Sequence, residues 1–283
     1  MSGQRISPRK LEGIRESLAD RDMQILASVF AHRLLTTHQI CRFHFADKPT
    51  ETAALRSANR ALDKLRGLRL LTALDRRIGG VRAGSGAHVW SLGHIGARLL
   101  QRADDVSGLP RRQRKFEPSI TFLEHTLAVA EVSLRLTEAA RRGDAALLDV
   151  QHEPVCWRVY VGSGGGIMRL KPDLAVLTAT DEFEDHWFFE VDLATEPPSR
   201  VIRSCLNYQE YRRSGVEQRR LDLFPAVVWI VPTARRKETI GAHLQKHENI
   251  DQRLFTVITL DELEALIHSG HKGAAGTRDH DDA

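Results

Sequence analysis

The sequence predicts a two-domain chain: an α+β region of three helices and a β-hairpin, then an α/β-like mixed sheet flanked by helices. Three observations predict it. Residues 1–117 hold 22 Lys and Arg against 11 Asp and Glu, whereas the remainder holds 19 against 26, so two regions carry opposite charge. Apolar residues recur at helical spacing up to Gly67 and then give way to β-like runs around a glycine- and arginine-rich tip. Beyond Ser119, a long helical pattern is followed by strands that alternate with helices.

Residues 1–19 read as a basic tail. Asp20 or Asp22 caps a first helix running to about Leu34, with Met23, Leu26, Phe30 and Leu34 at helical spacing. Thr36 and Thr37 open a short second helix through Gln39, Ile40 and Phe43. Thr50 caps a third, whose packing face is Leu55, Ala58, Leu62 and Leu65 and whose opposite face carries Arg56, Asn59, Arg60 and Lys64. Leu68–Leu74 and His88–Leu92 read as strands around a tip bearing Arg76, Arg77 and Arg82. A closing helix runs over 93–102. This order is that of a winged helix-turn-helix spanning 20–103. Its third helix would enter the major groove of duplex DNA, with the wing arginines on phosphate or in the minor groove. Residues 104–117 form a linker with a basic run, Arg111-Arg112-Gln113-Arg114-Lys115.

The second region covers 118–268. Ser119 caps a helix to about Arg142. Strands follow at about 147–155, 168–177 and 187–193, the first two joined by the glycine cluster 162–166. A helix after Pro197-Pro198-Ser199, the wholly apolar strand 226–231, a helix over 235–245, a strand at 254–258 and a helix over 260–268 complete it. Residues 269–283 are polar and read as disordered. No run of 18 apolar residues occurs and no apolar core follows the basic start, so neither a membrane span nor a signal peptide is expected. Three widely spaced cysteines fit a reducing cytoplasm, and the thirteen histidines read as scattered residues without a structural zinc site.

The acidic residues suggest chemistry. Pro172-Asp173 lies on one expected strand and Glu190-Val191-Asp192 ends the next. Period-two alternation puts Glu190 and Asp192 on one face, beside Asp173 if the strands pair, and Glu131 on the preceding helix can approach. Carboxylates brought together repel unless a cation holds them. Hard oxygen ligands such as Asp173 and Glu190 suit magnesium or manganese, which would activate a phosphodiester for attack by water.

Strand order, Pro172-Asp173 and Glu190-x-Asp192 resemble the PD-(D/E)xK nuclease-like fold. More narrowly, residues 20–268 resemble the replication-relaxation family, in which a winged helix precedes such a domain. The run Glu190–Glu196 and the segment Arg203–Tyr211, with Asn207, Tyr208 and Tyr211, carry that likeness. The resemblance implies a part in replication or mobilisation of plasmids and mobile elements. The nuclease pattern wants lysine two residues after the glutamate, and this chain has Asp192 there. Either Lys171, Arg200 or Arg203 supplies the cation, or catalysis is lost and a binding surface kept, or nearby arginines simply satisfy the carboxylates.

Three functions therefore stand open. One is a DNA-binding accessory protein that recruits replication or relaxation proteins. The second is a magnesium- or manganese-dependent endonuclease, and the third a transcriptional regulator with a sensing domain. A winged helix that reads a palindrome would do so as a homodimer.

Overall fold

The computed structural model describes residues 6–78, 87–103 and 118–270. It is a mixed α+β structure of helices, a three-stranded sheet, a five-stranded sheet and a two-stranded ribbon. The chain divides into two compact units, Met1–Leu134 and Arg135–Ala283.

In the first unit, α1 (Pro8–Glu16) is a helix that periodicity does not single out. Ser7 caps it, and Leu11 is buried. In α2 (Asp20–His32) the Asp22 carboxylate accepts from the Ala19 N–H at 3.1 Å. The helix stops before Leu34, not at it. Arg33 adopts φ 65°, and β1 (Leu34–Thr36) pairs with β3 (Ala87–Leu92) instead. Thr36 and Gln39 form a reciprocal cap on α3 (Thr37–His44), satisfying two end N–H groups at once. Thr50 caps α4 (Glu51–Gly67). Its buried stripe is Ala54, Ala58, Leu62 and Leu65; Leu55, expected inside, is 39% exposed.

The chain then enters β2 (Leu71–Ile78), which pairs with β3 in the order β1-β3-β2, and α5 (His94–Ala103) follows. Gly96 sits where a β-carbon would collide with the Leu70 carbonyl, so α5 approaches the sheet base closely. One apolar core joins Ile25, Leu26, Ile40, Leu62, Leu65 and Trp90. The division into units falls inside α6 (Ile120–Arg142), because Ala130 and Leu134 pack into this same core.

The second unit is built on strand order β10-β9-β8-β7-β4, with β4 (Ala146–His152), β7 (Leu174–Ala179), β8 (Glu184–Val191), β9 (Ala226–Val231) and β10 (Phe255–Thr259). The β4, β7 and β8 neighbours run antiparallel; β8, β9 and β10 run parallel. A parallel step needs a crossover, which α7 (Pro198–Ser214) and a further helix, α8 (Val216–Leu221), supply between β8 and β9. α9 (Ala234–Lys246) joins β9 to β10, and α10 (Leu263–Ser269) ends the unit. Val201, Ile202, Cys205 and Tyr208 of α7 and Ile240 and Leu244 of α9 pack with Phe188, Val227 and Trp229 of the sheet.

The expected strands at 147–155 and 168–177 are both broken. The first stops at His152, and the start of the second, β6 (Ile167–Leu170), pairs instead with β5 (Arg158–Val161), which lies beyond the first expected strand; the glycine cluster closes this separate ribbon, and Gly165 there adopts φ 77°. Pro172 has no N–H to donate and separates β6 from β7.

Candidate carboxylate site and nucleic-acid interface

The β7–β8 register, Leu174 opposite Phe189, sets Asp173 across from Glu190. The Asp173 N–H donates to the Phe189 carbonyl at 3.1 Å, and its Oδ2 accepts from the Val191 N–H at 2.8 Å. One carboxylate oxygen of Asp173 is thus spent on backbone. Glu190 Oε1 accepts from the Tyr208 hydroxyl at 2.6 Å, and the buried Tyr208 ring is held between Phe188 and Phe255. Burial pushes the Glu190 carboxyl well above the usual carboxylate range, and the Asp173 charge adds to it; the Tyr208 hydrogen bond opposes both. Burial likewise pushes the Tyr208 hydroxyl well up.

Asp192 shares the face of Glu190, as alternation requires, but a different helix claims it. Arg236 of α9 grips its carboxylate with Nε–Oδ2 at 2.7 Å and Nη2–Oδ1 at 3.1 Å, and also donates to the Glu196 carbonyl. Asp192 is therefore the acid of a buried ion pair, not a third member of the Asp173–Glu190 pair. Glu131 belongs to the first unit. Its Oε1 pairs with Arg42 at 2.5 Å and its Oε2 accepts from Gln39, both on α3 within the first unit.

The three cations considered for the lysine role lie elsewhere. Lys171 Nζ rests 4.7 Å from the Trp157 ring, Arg200 pairs with Glu196, and Arg203 is exposed on α7. Sequence reasoning missed Arg236, since nothing local links it to Asp192, 44 residues earlier. It met Tyr208 only through the family likeness. Tyr211 supports a second buried network instead, donating to Glu217, which Arg158 and Arg220 also hold. Asn207 is exposed.

Cys156 donates to the Pro172 carbonyl, and burial pushes its thiol and that of Cys205 up to about 12, so neither is a ready nucleophile. His243 and His247 are spaced as HxxxH pairs are, but His243 Nδ1 is bonded to the Thr239 carbonyl and His247 lies past the end of α9. Among the described residues no group of three or more His, Cys, Asp or Glu is disposed to hold a metal ion.

On the first unit, Arg56, Asn59 and Arg60 stand exposed on α4, opposite its buried stripe. Lys64 is exposed too, but its Nζ is engaged by Asp22 at 2.6 Å and by the Ser17 carbonyl, which ties α4 to α2. Arg76 and Arg77 lie on β2, where only the backbone is described, and Arg82 lies outside the described residues. A cleft of about 280 Å³ at the base of β2 is lined by Arg66, Arg69, Thr72 and His94.

Residues 26–227 match the sequence model of the replication-relaxation family, and the chain belongs to that family. Membership suggests a role in replication or relaxation of a plasmid or mobile element. Neither a curated protein nor a solved structure matches the chain. Among the described residues, no helix is long and apolar enough to cross a membrane.

Proposed function

We propose that the protein is a cytoplasmic, DNA-binding accessory factor of a plasmid or mobile element, acting in its replication, relaxation or mobilisation beside replication or relaxation proteins. The first unit is read as a winged helix-turn-helix and the second as a PD-(D/E)xK nuclease-like domain without the motif lysine. The exposed face of Arg56, Asn59 and Arg60 on α4 carries the reading. The order helix–strand–helix–helix–strand–strand supports it, because that order presents the last helix to a major groove and the hairpin to its flank. Arg56→Ala and Arg60→Ala should each weaken duplex binding by about 1–3 kcal/mol where they touch bases. Fluorescence anisotropy with unchanged affinity for both variants would remove α4 from the account.

One observation favours a second reading, a metal-dependent endonuclease: Asp173 and Glu190 face each other on adjacent strands. Asp173 Oδ2 accepts from the Val191 N–H and Glu190 Oε1 from the Tyr208 hydroxyl, and magnesium or manganese takes few carboxylates and keeps several waters. Those two residues would hold the ion, which would polarise a phosphodiester and lower the pKa of water. Against cleavage stands Asp192, an acid already neutralised by Arg236 where the pattern wants a cation facing the phosphate. Plasmid DNA incubated with the protein and either metal should stay uncut. Nicking that disappears in Asp173→Ala would promote the enzyme reading.

A further inference from the structure

The β5–β6 ribbon is a two-stranded sheet of its own and has two unlike faces. Tyr160 and Leu170 turn inward, the Tyr160 ring lies 5.1 Å from that of Tyr211, and Glu210 of α7 accepts from the Ser163 N–H. The outward positions are Val159, Val161 and Ile167, with Val155 just ahead of them; Ile167 is 81% exposed. With Met168, which pairs with Tyr160 yet is also exposed, these make five of the eight exposed large apolar side chains among the described residues, too concentrated to be incidental. Pairing of Val159 with Arg169 brings that cation to the same outward face. Arg169 and Lys171 both sit over the Trp157 ring, at 5.9 and 4.7 Å. The outward positions of the two strands carry no carboxylate; Glu210 bonds Ser163 in the turn, and Glu153 bonds the Trp157 indole over which both cations sit. From Lys171 the chain continues through Pro172 into Asp173.

Apolar side chains beside the turn and two cations at the stem, with no carboxylate on the outward strand positions, have the make-up of a minor-groove wedge flanked by phosphate contacts. We propose that this ribbon is a second DNA-contacting element, laid against the minor groove of a duplex. Val161 and Ile167 press on a base step there, and Arg169 and Lys171 take the flanking phosphates. Minor-groove proteins use apolar wedges in this way, unstacking a step to bend the duplex. The inference rests on the reading that the chain acts on duplex DNA, and it assigns the second unit a binding task independent of cleavage.

The test uses the full chain with a labelled duplex, measuring affinity across a salt series and bending by energy transfer between the duplex ends. Arg169→Ala with Lys171→Ala should flatten the slope of log affinity against log salt by about 1.8, two phosphates' worth. Arg169→Lys with Lys171→Arg should restore it. Val161→Ser with Ile167→Ser should keep the slope and lose the bend. All four side chains are exposed, so melting temperatures should match the wild type and exclude misfolding. If both ribbon variants bind and bend like wild type while Arg56→Ala weakens binding, the ribbon proposal is overturned and the DNA reading survives. A wild type that ignores duplex DNA overturns both. Ribbon variants that change only the sedimentation coefficient would assign the face to a second copy of the chain and overturn the proposal.

Discussion

Glu190 meets three influences at once: burial, the Asp173 charge and the Tyr208 hydroxyl. Its folded-state pKa lies above that of an unfolded glutamate, so the folded chain holds the proton more tightly. Stability therefore falls as pH climbs from about 4.3, the ordinary glutamate value, through the raised one, and then levels off. Glu190→Gln keeps an acceptor for Tyr208 but removes the charge. Its melting temperature should coincide with wild type near pH 4 and rise above it as pH approaches 8; parallel melting curves would count against a buried, repelled carboxyl. Added magnesium should lift the wild type but not Asp173→Ala if the pair holds a cation, because a ligand stabilises only the state that binds it. The shared face of Glu190 and Asp192 was legible from alternation. Their neighbours were not: a period-two rule tells which way a side chain points, while Tyr208 and Arg236 arrive from helices whose placement depends on the whole sheet.

At the scale of elements, α4 illustrates how far helical spacing carries. Positions 54, 58, 62 and 65 and positions 55, 58, 62 and 65 both satisfy it, and the larger Leu55 draws the eye. The inner position goes to Ala54. Leu62→Ala should cost about 2–5 kcal/mol through the cavity it leaves, whereas Leu55→Ala should stay within about 0.5 kcal/mol. Urea denaturation separates these outcomes, and equal losses would place Leu55 inside. Caps were readable because their chemistry is local: Thr36 with Gln39, Thr50 with Ala53, Ser119 with Phe122. The ribbon was not readable as such. Residues 168–177 alternate like one strand, and only the missing N–H of Pro172, together with an inward-turned Tyr160, hints that two sheets share them.

For the whole molecule, the charge balance changes sign after residue 117, whereas the two compact units part inside α6. Charge reports surface, whereas the packing of Ala130 and Leu134 with Leu62 and Leu65 reports core. Each unit has its own core, so Leu62→Ala and Val228→Ala should lower different parts of the calorimetric melt, with the calorimetric enthalpy exceeding the van't Hoff value. A single transition moved alike by both would show one cooperative block. β9 has one more bearing on the molecule. All six of its side chains, Ala226-Val227-Val228-Trp229-Ile230-Val231, are buried between β8 and β10, and none is charged. In a melted chain that uninterrupted β-prone run loses both neighbours and lies open to the same run of other chains, the composition from which steric zippers assemble. Recovery after heating should then depend on protein concentration, and the strand that anchors the folded sheet becomes the seed of its precipitate.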